Sequence, residues 1–194
     1  MAPTIRLANE TDAQQIQTIY APYCKHSPVS FELEPPSVEE MRLRIAKILP
    51  DYPWLVCESA GEIHGYVYAS RHRERPAYQW SVDVTVYIRE EQQRTGIGRA
   101  LYTSLIELIR LQGYYHAYAG ITLPNPGSVG LHEAMGFRPV GTYRAVGFKD
   151  GAWHDVGWWQ LELQPPALTP KPPCPFHNFR DSPECAAVLR SGNH

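Results

Sequence analysis

The sequence has no long apolar run, no excess of basic charge and no paired-cysteine motif. No stretch approaches the ~20 apolar residues of a membrane-spanning helix, so we expect no membrane partner. The 18 Lys and Arg residues against 20 Asp and Glu give a formal net charge of -2. That balance supplies no broad positive field, so we expect no nucleic-acid partner.

The four cysteines form no C-x-x-C pair, and the N-terminal residues have no secretory signal pattern. We therefore expect reduced thiols and a cytoplasmic protein. The spacing of Cys174 and His177 matches no familiar zinc pattern, so we also expect no bound metal.

With 43% hydrophobic residues among 194, the chain can bury the core of one domain. We place that domain at residues 1–164. The composition then changes to "QPPALTPKPPCPF", and proline neither continues a helix nor supplies sheet hydrogen bonds. The sequence predicts that residues 165–194 form a proline-rich tail that is extended or partly disordered.

Alternating apolar runs such as "WSVDVTVYI" predict strands, and Asp150-Gly151 predicts a tight hairpin turn. Amphipathic runs between the strands predict helices. The pairs Thr11 with Gln14 and Ser37 with Glu40 have the spacing of capping boxes at helix starts. The pattern therefore indicates one α/β domain.

The stretch "QQRTGIGRAL" joins a predicted strand to a predicted helix through two glycines. Glycines allow close backbone approach, and a helix start offers unpaired N–H groups, so the turn suits an anion such as a pyrophosphate. It is neither G-x-G-x-x-G nor a Walker A loop. Taken alone, the same pattern also fits plain turn chemistry.

The order Q-x-x-G-x-G from Gln93 to Gly98 resembles the acetyl-CoA pyrophosphate loop of the GNAT superfamily of N-acetyltransferases. "LPNPGSVGLHEAMGF" resembles the second signature of that superfamily, an Asn (here Asn125) before a short helix. Together with "DYPWLV", "AYQWSVDVTVYI" and "GAWHDVGWWQ", these blocks resemble the branch that acetylates phosphinothricin. The resemblance runs from about Ile5 to Leu163.

The resemblance implies an α/β GNAT fold, with a mixed, mostly antiparallel sheet flanked by helices on both faces. It also implies acetyl-CoA as co-substrate, a small amino-acid acceptor and a homodimer. The strand before the turn is expected to splay from its parallel neighbour, with a backbone N–H near Val86 as oxyanion donor. The implied acetyl-CoA contacts are Val86, Gln93, Arg94, Thr95, Gly96, Ile97, Gly98, Arg99 and Asn125.

Two residues are candidates for proton transfer. Asp83 lies within a strand, where it is either an outward-facing residue paired with Lys or Arg or the base that deprotonates the acceptor amine. The matching residue of the branch is usually Glu, so Asp83 is shorter by one methylene, and either a bridging water or a slightly shifted substrate is expected. His132 in "LHEAMGF" is either a helix histidine bonded to a backbone carbonyl or the acid for the leaving thiolate.

The acceptor side is predicted from "SRHRERPAYQW" and "VSFELEP". Isolated arginines in such a loop usually form a solvated surface, but beside an anionic amino acid they bind carboxylate or phosphinate. By resemblance the substrate contacts are Phe31, Arg73, Arg75 and Tyr78. We expect acetyl transfer to phosphinothricin, methionine sulfoximine or methionine sulfone. The alternatives are another amine or peptide acceptor, and a non-catalytic acetyl-CoA-binding module.

Overall fold

The computed structural model describes residues 3–192, which contain one seven-stranded sheet. Its strands are β1 (Thr4–Leu7), β2 (Trp54–Ser59), β3 (Glu62–Arg71), β4 (Ser81–Ile88), β5 (His116–Leu123), β6 (Arg138–Lys149) and β7 (Ala152–Glu162). The helices are α1 (Ala13–Lys25), α2 (Val38–Ile48), α3 (Ile97–Leu111), α4 (Pro126–Ala134), α5 (Phe176–Phe179) and α6 (Pro183–Ser191).

The strand order is β1-β2-β3-β4-β5-β7-β6, and every neighbouring pair is antiparallel except β4 with β5. The predicted mixed, mostly antiparallel sheet is therefore confirmed. The predicted hairpin is confirmed too, because Asp150 and Gly151 have positive φ angles of 52° and 78° between β6 and β7.

Helices cover both faces of the sheet, as predicted. The apolar face of α3, including Leu101, Leu105 and Leu108, packs on one face of the sheet. The other face is covered by α1 and α2, whose Ile16 and Ile45 are fully buried. The side chains of β4 alternate between these two faces, because successive side chains of a strand point to opposite faces of the sheet. Val82 and Val84 are buried on the α3 face, and Asp83 and Thr85 belong to the opposite face.

The two predicted capping boxes have different outcomes. The Ser37–Glu40 box is confirmed, since the Ser37 hydroxyl accepts from the Glu40 N–H and the Glu40 carboxylate accepts from the Ser37 N–H. The box predicted at Thr11 is wrong by two residues. Asn9 and Asp12 form it instead, because the Asp12 carboxylate accepts from the Asn9 N–H and also pairs with Arg6.

The proline-rich segment differs in part from the expected tail. Residues 165–175 contain no helix or strand, but α5 and α6 follow and bury Phe176, Cys185 and Val188 in the α3-side core. The Trp80 indole N–H also donates to the Lys171 carbonyl at 2.8 Å. Residues 193–194 lie outside the described residues, and the division of the chain at residue 164 stays a prediction.

Residues 3–192 include no helix that is both long and apolar enough to cross a membrane. The same residues hold no group of three or more His, Cys, Asp or Glu side chains arranged for a metal ion.

Candidate active site

The two-glycine turn leaves the start of α3 open. Arg94 and Gly96 both have left-handed backbones, with φ angles of 63° and 94°, which bends the chain sharply before Ile97. The Thr95 hydroxyl closes the turn by donating to the Gln92 carbonyl at 2.6 Å. Among residues 3–192, no side chain caps α3, so its first N–H groups and the positive end of its dipole face outward.

A cavity of about 510 Å³ lies against this turn, and we call it the turn cavity. Two arginines of its lining, Arg94 and Arg99, are exposed and have no acidic partner among the described residues. The space therefore combines a helix start with two free cations, which suits a diphosphate. Of the residues predicted to bind acetyl-CoA, it is lined by Val86, Gln93, Arg94, Gly96, Gly98, Arg99 and Asn125.

Two predicted contacts do not line the turn cavity. Ile97 is buried in the α3-side core, and Thr95 uses its hydroxyl to close the turn. Gln93 does line the cavity, but its side-chain amide donates to the Tyr23 hydroxyl of α1 at 3.1 Å. These residues shape the turn, whereas the two arginines provide the charge.

The parallel strands separate after a short paired segment. The pairing of β4 with β5 begins at Ser81 and His116 and ends at Asp83 and Tyr118, although both strands continue. Beyond that point lies a cavity of about 110 Å³, the splay cavity, bounded by β4 residues 84–87 and β5 residues 119–122. Val86 and Asn125 line both cavities, which therefore adjoin.

A buried histidine–tyrosine pair borders the splay cavity. The His132 Nδ1–H donates to the Ser128 carbonyl at 2.7 Å, which leaves the Nε2 lone pair to accept from the Tyr102 hydroxyl at 2.8 Å. His132 is 3% exposed, and burial lowers its pKa while the Ser128 carbonyl acts in the opposite direction. The imidazole is therefore neutral near pH 7, and the proton nearest its Nε2 belongs to Tyr102.

A second histidine contacts Asp83, at the point where the strands separate. Nδ1 of His72 lies 2.6 Å from Oδ1 of Asp83. Asp83 thus pairs with a histidine and not with the Lys or Arg that an exposed strand residue would have. Burial raises the pKa of Asp83 above its ordinary range, and the hydrogen bond to His72 opposes that shift.

Two of the acceptor residues predicted from the arginine-rich loop, Arg73 and Tyr78, lie near this pair. The Arg73 guanidinium lies 5.6 Å from the Trp158 ring, and the Tyr78 ring lies 6.0 Å from that of His72. Arg75 is exposed and has no ion pair among residues 3–192, whereas Arg71 pairs with Glu74 at 3.1 Å. Positive charge and aromatic surface therefore surround the Asp83 end of the splay.

A model of the acetyltransferase (GNAT) domain matches residues 5–158, which is most of the chain. The chain belongs to the GNAT acetyltransferase family. The GNAT fold predicted from the glycine turn and the Asn125 signature is thereby confirmed.

Relatives of this GNAT domain are named as acetyltransferases of phosphinothricin and of methionine sulfoximine and sulfone. A phosphinothricin N-acetyltransferase of Streptomyces viridochromogenes is 42% identical over 168 residues, covering 87% of this chain and 91% of the relative. A methionine sulfoximine/methionine sulfone acetyltransferase of Pseudomonas paraeruginosa is 32% identical, covering 88% and 100%. The crystal structure of a Sinorhizobium meliloti phosphinothricin acetyltransferase with acetyl-CoA is 33% identical, with a TM-score of 0.83 and coverage of 91% and 99%.

Phe31 lines neither the turn cavity nor the splay cavity. Its ring faces His154 at 6.3 Å and lies where a Cβ on Gly147 would stand, so it packs on the β6–β7 hairpin of its own chain. The loop that carries it is fixed by Lys149, a 4% exposed residue whose Nζ donates to the carbonyls of Cys24, Ser27, Ser30 and Glu32.

Sequence reasoning missed three residues of the site. His72 follows the end of β3 in an arginine-rich loop, where no sequence pattern distinguishes it from a surface residue. Tyr102 occupies a core position of α3, where the sequence alone does not distinguish a functional tyrosine from one that only packs. Trp158 has a buried indole N–H without a partner among the described residues. The sequence does not indicate this burial, because it arises only when the β6–β7 hairpin is folded.

Proposed function

We propose that this GNAT domain transfers the acetyl group of acetyl-CoA to the α-amino group of phosphinothricin or a related amino acid, such as methionine sulfoximine or sulfone. The observation that carries the proposal is the chain of adjoining spaces from the start of α3 to Asp83. The turn cavity supplies cationic and N–H groups, and the splay cavity leads from it to the end of the β4–β5 pairing.

Acetyl-CoA would supply the activated acetyl group, and the residues of the turn fit its diphosphate. Arg94 and Arg99 would pair with the phosphates beside the open N–H groups of α3. Beyond Asp83 the backbone of β4 is free of β5, so an N–H near Val86 is available to the thioester oxygen. One oxyanion donor of this kind contributes about 3 kcal/mol to catalysis.

Proton transfer is divided between the two sides of the splay. On the acceptor side, the Asp83–His72 pair takes a proton from the ammonium group, and the free amine attacks the acetyl carbonyl carbon. The carbon–sulfur bond then breaks with its electron pair leaving on sulfur, and the nitrogen loses its second proton to solvent as the amide forms. On the opposite side, the Tyr102–His132 pair delivers a proton to the leaving thiolate.

The acceptor would be a small anionic amino acid. Arg73 brings a guanidinium group without an acidic partner among residues 3–192 to the Trp158 ring beside His72, and Arg75 follows two residues later in the same loop. Guanidinium groups bind carboxylate or phosphinate in a bidentate manner. The relatives named for phosphinothricin and methionine sulfoximine support the same substrate class.

The glycine at the second position of α3 is required for the turn cavity. A Cβ on Gly98 would stand 3.0 Å from Cδ2 of Leu131 in α4, so valine there would push the two helices apart. We expect Gly98→Val to weaken acetyl-CoA binding at least tenfold by calorimetry and to lower the free energy of unfolding by about 1–3 kcal/mol. Gly130→Ala in α4 is the control, because its Cβ meets open space. Equal acetyl-CoA affinity in both variants would contradict this assignment of Gly98.

The function is tested by measuring CoA release with a panel of acceptors that includes phosphinothricin, methionine sulfoximine, methionine sulfone, simple amines and basic peptides. We expect the highest kcat/KM with the anionic amino-acid analogues. Preference for a basic peptide would show a different acceptor. Tight acetyl-CoA binding with no turnover would indicate a binding module.

We further propose that the protein is a cytoplasmic homodimer. Its four cysteines are unpaired, which suits a reducing compartment. The β6–β7 hairpin lies at the sheet edge and exposes five large apolar side chains, and exposed apolar surface of this kind often marks a protein–protein interface. These side chains are Val140, Tyr143, Val146, Phe148 and Trp153.

The dimer surface is tested with Trp153, which is 65% exposed and stacks edge-on against Phe148. We expect wild-type protein to sediment as a dimer of the 22.0 kDa chain and Trp153→Lys to sediment as a monomer. Leu168→Lys is the control, because this fully exposed leucine lies outside the hairpin. A wild-type monomer at micromolar concentration would rule out the dimer.

A further inference from the structure

His72 is held on two sides in the acceptor region. It follows directly after β3, and its Nδ1 lies 2.6 Å from Oδ1 of Asp83 on β4. Its ring also stacks on Tyr118 of β5, with centroids 4.4 Å apart and planes 18° apart. The two side chains of the pair are 11% and 27% exposed. One hydrogen bond and one stacking contact therefore fix both the position and the rotation of the ring.

The opposite ring nitrogen of His72 is uncommitted. Within residues 3–192, Nε2 has no hydrogen-bond partner, whereas Asp83 already engages one carboxylate oxygen. A carboxylate at Nδ1 selects the tautomer with its hydrogen on Nδ1, so the lone pair lies on Nε2. The same carboxylate stabilises the imidazolium that forms when Nε2 takes a proton. The pair therefore presents a base at Nε2.

The surroundings of His72 match those of an acceptor site. The ring centroids of Tyr78 and Trp158 lie 6.0 and 6.4 Å from that of His72, and the Arg73 guanidinium lies over Trp158. An anionic group bound by the arginine loop would thus bring a neighbouring ammonium to this ring.

We propose that Nε2 of His72 is the immediate proton acceptor for the substrate ammonium, and that Asp83 is a positioning residue that orients His72. This inference rests on the proposed acetyl transfer. A nitrogen–hydrogen bond of the ammonium breaks, its electron pair stays on nitrogen, and the proton moves to Nε2. The new imidazolium later releases that proton to solvent. The aspartate side chain then need not reach the amine itself.

The pH dependence of the reaction reflects the charge of Asp83. The groups that face the pair are Arg73 of the same loop as His72, Tyr68 of β3, Tyr78 of the segment before β4, and Tyr118 of β5. Burial raises the pKa of Asp83, and the hydrogen bond to His72 opposes that shift. A variant without the imidazole loses that opposition, so the pKa of Asp83 should rise and the acid limb of kcat/KM should move to higher pH.

The first test is His72→Asn, whose amide N–H can replace Nδ1–H toward Asp83 but offers no base. We expect kcat with the best acceptor to fall about 100-fold. Calorimetric affinity for acetyl-CoA should stay within twofold, and the acid limb of kcat/KM should move. His116→Asn on β5 is the matched control and should keep wild-type kcat. Thermal unfolding of both variants shows whether they are folded.

The second test is His72→Ala with imidazoles of graded basicity added to the assay. Rescue that rises with the basicity of the added imidazole is expected, because a group that only packs would be replaced equally well by each of them. Absence of graded rescue would contradict the role of His72.

Failure of the proposed role of His72 can be distinguished from failure of the proposed function. If wild-type protein acetylates an acceptor and His72→Asn retains kcat within threefold, the role of His72 is overturned and the proposed function stands. If wild-type protein acetylates no acceptor of the panel, both are overturned.

Discussion

Replacing Asp83 with asparagine is expected to lower kcat/KM for the best acceptor about 100-fold, at the lower end of the ~10²–10⁴ range of general acid–base catalysis, because Asp83 acts through His72. The change keeps the shape of the side chain but removes its charge. Asparagine therefore no longer stabilises a protonated His72, whose Nδ1 lies 2.6 Å from the carboxylate. Steady-state CoA release at saturating acetyl-CoA measures the effect.

The matched control for Asp83→Asn is Asp181→Asn. The Asp181 side chain is 91% exposed and lies outside both cavities, so the same chemical change there should leave kcat/KM unaltered. A folded Asp83→Asn protein with kcat/KM within threefold of wild type would remove Asp83 from the mechanism.

Replacing Lys149 with methionine is expected to lower the free energy of unfolding by about 3–5 kcal/mol. Methionine has similar length but cannot donate, so four backbone carbonyls would lose a hydrogen bond at 2.6–3.0 Å. The midpoint of thermal unfolding should fall by roughly 10 °C for a domain of this size. Differential scanning calorimetry measures both quantities.

Lys149 also links stability to function through the loop that it fixes. That loop carries Val29, which lines both cavities, and Phe31. The control is Lys47→Met, an exposed position of α2 where methionine suits a helix equally well. If Lys149→Met unfolds within 2 °C of that control, the carbonyl contacts do not hold the loop in solution.

Much of the fold was predictable because local sequence patterns specify its strands and helix starts. The alternation in "WSVDVTVYI" separates the two faces of β4, and Ser37–Glu40 marks the start of α2. The glycine turn was predictable because Gly96 needs a left-handed backbone and Gly98 a close helix contact. The resemblance to the GNAT signatures then marked Asp83 and His132 as candidates for proton transfer.

The remaining features depend on contacts between residues far apart in the sequence. His72 and Asp83 meet because β3 and β4 pair with Ser70 opposite Asp83, a register that no local pattern specifies. Tyr102 meets His132 only when α3 and α4 lie side by side. Proline content predicted an irregular segment after residue 164, but it did not reveal that Phe176 and Cys185 complete the core.

The most direct test of the account is calorimetric titration of the wild-type protein with acetyl-CoA. We propose that the open start of α3, with Arg94 and Arg99, binds the diphosphate of acetyl-CoA. We therefore expect one acetyl-CoA to bind per chain, with an affinity that falls as the salt concentration is raised because charged contacts are screened. Absence of binding at any salt concentration would contradict it.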